Sequence, residues 1–150
     1  MPTLGHHEIG QLLMLMTRDF QSRLDEDLRE RGIAGIGARH RSVFLHLGQH
    51  GGSRMVDLAA SAGIRPQSMI KIIDELEVMG LILRHPDPTD SRAKLINFTE
   101  SGHRLVSELS KSTHTVWQHY AAIVGEAVLE TTFEGLRQLL ENTSGDSNHE

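Results

Sequence analysis

Apolar residues recur every three or four positions along most of this chain, which is the period of an amphipathic α-helix. In the first third of the sequence these residues are Ile9, Leu13, Met16, Phe20, Leu24 and Leu28. They predict a long first helix from His6 to Arg31, which Gly32 ends. Leu12 and Leu15 widen the apolar stripe beyond one face. A stripe of this width predicts burial on more than one side, and a partner subunit is one way to cover it.

Shorter helices are predicted in the middle of the chain. The pattern indicates a second helix over about 39–49, a small-sided third helix over about 56–62, and a fourth helix that begins at Pro66 and ends at Gly80. Proline suits the first helical turn because its missing N–H is not needed there. Gly63 separates the third helix from the fourth and supplies a backbone with positive φ at the turn. Two short helices joined in this way are typical of a helix-turn-helix.

The period then changes to that of strands. Residues 81–85 and 94–98 are strand-like, and the segment between them, 86–91, is dense in turn formers. Thr99 is suited to cap a long helix over 100–124. A last helix is expected over 128–141, followed by a frayed tail at 143–150. A helix-turn-helix followed by a hairpin with a basic tip predicts a winged helix.

Composition excludes several classes of protein. The 150 residues fit one domain, and 38% hydrophobic and 23% charged residues predict a globular fold. No cysteine is present, which excludes disulfides and zinc–thiolate sites. No P-loop, G-x-S-x-G or G-x-G-x-x-G pattern occurs, so neither catalysis nor a cofactor is expected. The start of the chain has no basic n-region and no long apolar run, so we expect a cytoplasmic protein with no membrane partner.

The net charge of −5 is unevenly distributed. Residues 1–38 hold four basic and six acidic side chains. Residues 39–104 hold nine basic and seven acidic side chains, and residues 105–150 hold two basic and seven acidic ones. The middle of the chain is therefore positive and both ends are negative. This distribution favours contact between the middle and phosphate, and a random fluctuation among so few charges is the alternative.

The segment from Leu76 to Gly102 carries three motifs in register: L-E-x-x-G-L, D-x-x-D-x-R and T-x-x-G. The residues are Leu76-Glu77, Gly80-Leu81-Ile82, Asp87-Pro88-Thr89-Asp90-Ser91-Arg92, Lys94-Leu95-Ile96, Phe98-Thr99 and Gly102. In these motifs the chain resembles the MarR family of transcriptional regulators (multiple antibiotic resistance type). The resemblance implies a mainly α (α+β) fold of one domain over 1–150. A winged helix-turn-helix lobe would span 39–104, and long terminal helices at 5–32 and 100–142 would form a dimerisation region. It also implies a cytoplasmic homodimer, usually a repressor, that a small aromatic or phenolic ligand releases from a palindromic DNA operator.

The start of the fourth helix carries the side chains expected to read DNA. These are Arg65, Pro66, Gln67, Ser68, Ile70 and Lys71. Arginine and glutamine can make bidentate hydrogen bonds to base edges, whereas serine and lysine can bind bases or phosphate. Ile70 can touch a thymine methyl group or pack on the wing. Asp74, Glu75 and Glu77 would repel phosphate, so only the first half of the helix is expected to enter the major groove.

The wing supplies the second set of expected DNA contacts. By the family resemblance, Arg92 is the wing arginine that enters the minor groove, whose negative potential favours arginine. Asp90 is expected to hold Arg92 or to brace the wing turn. Arg84 and Lys94 flank the wing as phosphate candidates. For Arg54, ahead of the third helix, contact with phosphate and a surface salt bridge are both open.

The resemblance places an effector cleft among the first, second and fifth helices. The candidate lining residues are Met16, Phe20, His40, Phe44, His114 and Trp117, although a role in the helix core explains most of them equally well. His46 and His50 stand four residues apart and can share one metal ion, but no cysteine or acidic residue joins them, so no metal site is expected. Two alternatives to a ligand-released repressor remain. One is a metal-responsive regulator, and the other is a helical protein–protein interaction module with a degenerate winged helix.

Overall fold

The computed structural model describes residues 5–48 and 52–143. After a 3-10 turn at His6–Glu8, the elements are α1 (Ile9–Glu30), α2 (Ala38–His46), β1 (Ser53–Arg54), α3 (Met55–Ala62), α4 (Pro66–Val78), β2 (Ile82–Asp87), β3 (Asp90–Phe98), α5 (Glu100–Val124) and α6 (Glu126–Thr143). The mainly helical class and the winged helix are confirmed. The chain divides into two compact units, residues 1–112 and 113–150, and the boundary falls inside α5. No helix in the described ranges is long and apolar enough to cross a membrane.

The core of the first unit lies among α2, α3, α4 and the sheet. Its buried side chains are Val43, Phe44, Leu47, Leu58, Ala59, Met69, Ile72, Ile73, Leu76, Ile82, Ile96 and Phe98. Four of them lie on the apolar face that the helical period predicts for α4, and two occupy alternate positions of β3. Each buried leucine, isoleucine or valine contributes about 1.5–3 kcal/mol through removal of apolar surface from water. The winged lobe therefore has an apolar core of its own.

The second helix is shorter than the sequence pattern predicts. α2 ends at His46 rather than at 49, because the backbone of Leu47 is extended, with φ −75° and ψ 118°. Leu47 is only 3% exposed, so the chain leaves the helix while this side chain enters the core. Gln49, the predicted helix end, lies outside the described residues.

The sheet has three antiparallel strands in the order β1-β3-β2. β2 and β3 pair from Ile82 opposite Phe98 to Pro86 opposite Lys94. The predicted turn over 86–91 was too long, since its outer residues belong to the strands. Pro86 is compatible with a strand because β2 lies at the edge of the sheet, where a missing N–H costs no ladder hydrogen bond. The two-residue β1, which pairs with β3, was not predicted.

The junction between the wing and α5 explains the T-x-x-G motif. The Thr99 hydroxyl donates to the Gly80 carbonyl at 2.6 Å and accepts from the Gly102 N–H at 3.0 Å. Thr99 therefore caps α5 and also ties it to the end of α4. A Cβ atom on Gly102 would lie 2.0 Å from the Leu81 carbonyl oxygen. Only glycine permits this approach of α5 to the start of the wing.

A buried arginine connects α1 to α2. The Arg41 guanidinium donates to Asp25 Oδ1 at 2.7 Å, to the Ile36 carbonyl at 3.3 Å and to the Gln21 side-chain oxygen. Arg41 is 8% exposed, and removal of these acceptors would leave a buried charge without its partners.

The N-terminal half of α1 leaves its apolar side chains uncovered in the single chain. Ile9, Leu12, Leu13, Met14, Leu15 and Met16 are each 44–57% exposed. In the second unit, the exposed apolar residues of α6 include Val128, Leu139 and Leu140. This agrees with the sequence pattern, in which the apolar stripe of the first helix is wider than one face.

We expect Gly102→Ala to lower the free energy of unfolding by about 1–3 kcal/mol, because the added methyl group must push the Leu81 backbone away. Urea denaturation at fixed protein concentration measures the change. Ser101→Ala is the matched control, since Ser101 is an exposed neighbour in the same helical turn, and it should change stability by less than about 0.5 kcal/mol. Equal stability of the two variants would contradict the close packing of α5 on the wing.

Candidate nucleic-acid interface

A tight turn between α3 and α4 forms the helix-turn-helix. Gly63 has the left-handed conformation, with φ 64° and ψ 30°, in which a side chain would be strained. Ala59 is only 3% exposed, in keeping with close packing of the two helices. Pro66 occupies the first turn of α4, as predicted, after Arg65 in extended conformation. The local sequence thus fixes both the end of α3 and the start of α4.

The start of α4 presents polar side chains to solvent. Arg65, Gln67, Ser68 and Lys71 are all exposed, while Met69 between them is fully buried. Ile70 is 46% exposed, so an apolar group accompanies the polar ones on the outer surface. The predicted DNA-reading residues therefore share the solvent side of one helix end.

The second half of α4 carries carboxylates that engage the wing. The Arg84 guanidinium on β2 hydrogen-bonds to Asp74, and its Nε lies 3.5 Å from Glu77 Oε2. Arg84, predicted as a phosphate candidate, is thus held by acidic groups of α4. These ion pairs connect β2 to α4.

At the wing tip, Asp87 is the centre of a small hydrogen-bond network. Its Oδ1 accepts from the Thr89 N–H at 2.8 Å and from the Thr89 hydroxyl at 2.7 Å. Its Oδ2 accepts from Arg54 Nε at 3.0 Å and from a terminal guanidinium nitrogen at 2.6 Å. From the sequence, Arg54 could either contact phosphate or form a salt bridge. In the structure its guanidinium forms a salt bridge with Asp87. The role of Asp87 was not predicted, because its partner Arg54 is distant in sequence.

The hydrogen bonds from Thr89, together with those from Arg54, lower the pKa of Asp87 to about 2. The carboxylate is 6% exposed, so its charge is stabilised by these donors more than by water. The ionised form is therefore the form that holds the turn.

Arg92 is almost fully exposed to solvent at the wing. Its side chain is 94% exposed, and its Nε lies 3.8 Å from Asp90 Oδ1. The same Asp90 oxygen accepts the Arg92 backbone N–H at 3.0 Å. Asp90 thus shapes the backbone around Arg92 and leaves the guanidinium in solvent. Lys94 is also exposed, on β3 opposite Pro86.

The effector candidates fall in both units. In the first unit His40 and Phe44 are buried, Met16 is exposed and Phe20 is partly buried. In the second unit His114 is exposed, and Trp117 lines an open groove of about 530 Å³ with Glu130, Thr131, Phe133, Glu134 and Arg137. The Trp117 and Phe133 rings pack against each other at a tilt of 44°, with centroids 5.2 Å apart, and the indole N–H donates to Glu126 at 2.7 Å. Trp117 is thus the one effector candidate that lines this groove.

The histidine pair considered for a metal ion is only partly described. His46 is exposed at the end of α2, whereas His50 lies outside the described residues. Within residues 5–48 and 52–143, no three histidine, aspartate or glutamate side chains come together as metal ligands.

We expect Asp87→Asn to flatten the dependence of stability on pH in acid. The lowered pKa of Asp87 stabilises the wild type fully above its ordinary value of 3.8, and this stabilisation is lost as the pH falls towards about 2. The amide has no charge to lose over that interval. Unfolding temperatures of both proteins between pH 5 and 2 test this, and parallel curves would contradict the role of the charge.

Comparison with known proteins gives a consistent result. Residues 42–94, from α2 into β3, match the sequence model of the MarR family. A crystallised MarR-family transcriptional regulator from Rhodococcus sp. RHA1 is 26% identical, with alignment over 93% of this chain and 96% of that one and a TM-score of 0.76. CouR from Rhodococcus jostii RHA1, crystallised with p-coumaroyl-CoA, is 28% identical over 88% and 91% of the two chains, with a TM-score of 0.72. Wild-type MarR from E. coli, in its apo form, aligns over 88% of this chain and 96% of its own, with a TM-score of 0.72. At 19% identity, this likeness concerns the fold alone.

The matched segment contains the helix-turn-helix and most of the wing, and the structural likeness extends over nearly the whole chain. With its winged helix, its motif residues in register and its long terminal helices, the chain is similar to MarR-family transcriptional regulators, and its residues 42–94 match the sequence model of that family.

Proposed function

We propose that this chain binds a palindromic DNA operator as a homodimer and acts as a repressor that a small ligand releases. The observation that carries the proposal is the Arg92 guanidinium, 94% exposed at the tip of a wing whose turn is held by two aspartates. An exposed arginine on an ordered turn is suited to the minor groove, where negative potential is concentrated.

The first turns of α4 are proposed to enter the major groove. Arg65, Gln67, Ser68 and Lys71 are exposed there, and their donors and acceptors suit base edges and phosphate. Ile70 adds apolar surface that fits a thymine methyl group. The acidic half of α4 remains outside the groove, since carboxylates beside phosphates would repel.

Arg54 and Arg84 are proposed to brace the interface rather than to contact phosphate. Each is already paired with carboxylates, Arg54 with Asp87 and Arg84 with Asp74 and Glu77. A phosphate contact would have to compete with these partners. Their effect on DNA binding would then come through the position of the wing.

A second copy of the chain is proposed to cover the apolar side chains of α1 and α6. Six apolar residues between Ile9 and Met16 are about half exposed, which is unfavourable in a monomer. A dimer would also present two wings and two α4 helices, so that half-sites about one helical turn apart are read together. With a net charge of −5, doubling the contacts matters for affinity.

The effector is proposed to be a small aromatic or phenolic compound. CouR, at 28% identity, was crystallised with p-coumaroyl-CoA, which contains a phenolic ring. Selection of bound genomic DNA fragments, repeated with p-coumaroyl-CoA and simple aromatic acids, tests both operator binding and release. Recovery of no enriched fragment would reject the function.

We expect Arg92→Ala to weaken binding to the selected operator and to reduce the slope of log affinity against log salt by about one, because one phosphate-proximal charge is lost. Fluorescence anisotropy over a salt series measures both quantities. Arg104→Ala is the matched control, because Arg104 is an exposed arginine paired with Glu100 on α5. Equal losses for the two variants would count against wing contact.

We expect Leu13→Asp to shift the protein from dimer to monomer and to lower operator affinity. The charge would enter the apolar surface of α1, where Leu13 is 48% exposed. Sedimentation velocity and anisotropy report the two effects. Leu45→Asp is the control, because Leu45 is 82% exposed on α2 of the winged lobe. A Leu13→Asp protein that remains dimeric would argue against α1 as the contact surface.

A further inference from the structure

A buried histidine connects the N-terminus of α2 to the middle of α4. His40 is 3% exposed, and both of its ring nitrogens have partners. The Gly37 backbone N–H donates to Nδ1 at 3.0 Å. On the other side of the ring, Nε2 lies 2.7 Å from Glu75 Oε2 on α4.

These two contacts determine the protonation of the ring. Because Nδ1 accepts a hydrogen bond, it must carry a lone pair and no proton. Nε2 must then carry the proton and donate it to the Glu75 carboxylate. His40 is therefore neutral, in the Nε2–H tautomer, since a charged imidazolium would direct a second proton at the Gly37 N–H.

Each contact has a distinct structural effect. The bond from Gly37 joins the N-cap residue of α2 to the side chain three residues later, which is half of a capping box. The bond to Glu75 crosses between helices and restrains α4 against α2. Nδ1 of the ring thus caps α2 locally, whereas Nε2 connects α2 to α4.

The carboxylate of Glu75 has further positive neighbours. The hydrogen bond from His40 lowers the pKa of Glu75, and the charges of Arg39 and Lys71 lower it further. The nearest guanidinium nitrogen of Arg39 lies 3.0 Å from the same Oε2 atom. Glu75 is thus an ionised acceptor on the α2 side of the helix that exposes Arg65, Gln67 and Ser68.

We propose that His40 is a positioning residue that, through Glu75, holds α4 in the orientation required for DNA contact. This inference rests on the proposed DNA-binding function, and it assigns His40 a task other than lining an effector cleft. The side chain touches no DNA in this scheme and acts through α4.

Two substitutions separate the tasks of the ring. His40→Asn places an amide oxygen near the position of Nδ1, so it keeps the bond from Gly37 and loses the bond to Glu75. His40→Gln places an amide nitrogen near the position of Nε2, so it keeps the bond to Glu75 and loses the cap. Both replace a buried ring by a smaller amide, and urea denaturation is expected to show reduced stability for both.

DNA affinity should separate the two variants. At equal salt and at a temperature where both are folded, His40→Asn is expected to bind the selected operator about tenfold more weakly than wild type, in line with loss of a charge-assisted hydrogen bond. His40→Gln is expected to stay within about threefold of wild type. Wild-type affinity of His40→Asn, or equal losses for both variants, would overturn the proposal.

A second measurement needs no DNA. In wild-type protein with labelled histidine, ¹⁵N NMR is expected to show a protonated Nε2 and an unprotonated Nδ1 for His40. Amide exchange in α4 should accelerate in His40→Asn and not in His40→Gln. The other tautomer, or equal exchange in the two variants, would overturn the restraint on α4. Failure of the wild type to bind any DNA, with the NMR result as expected, would instead reject the proposed function and leave the restraint established.

Discussion

The hydrogen bonds to Asp87 are the interaction on which the wing depends. One oxygen accepts from both donors of Thr89 and fixes the turn, and the other accepts from Arg54. Arg54 lies on β1, immediately before α3, so the same carboxylate connects the wing tip to the start of the helix-turn-helix. The D-x-x-D-x-R motif can be understood from this network. Asp87 fastens the turn to the lobe, Asp90 shapes the next residues, and Arg92 remains in solvent.

Carboxylates engage the basic residues of the chain to different extents. Arg41, Arg54 and Arg84 each have acidic partners and connect elements of the fold. Other basic residues, among them Arg65 and Arg92, have side chains that extend into solvent. The net charge is therefore a poor guide to what the surface can bind. In an acidic protein, the carboxylates near the wing serve to hold arginines and thereby order the surface around Arg92.

Much of the fold could be predicted from the sequence because its signals are local. The bounds of α5, 100–124, agree with the predicted helix, and Gly63 and Pro66 marked the helix-turn-helix turn. The strand β1 was missed because two residues show no period. The pairs of Arg54 with Asp87 and of His40 with Glu75 join residues 33 and 35 positions apart, and no sequence pattern identifies such partners. The exposed start of α4 was predictable from the helical period. The arginines that pair with carboxylates were not, because those pairs depend on how the elements pack in the folded chain.

The arrangement of the sheet has a consequence for solubility. One edge strand, β1, is only two residues long, and the other, β2, contains Pro86 and the charged Arg84. Open strand edges can add strands from other molecules and so start aggregation, and short strands, prolines and charges prevent it. The wing hairpin therefore offers no long, unprotected strand edge for intermolecular β-pairing. A hairpin with such edges can remain soluble when many copies gather at high local concentration.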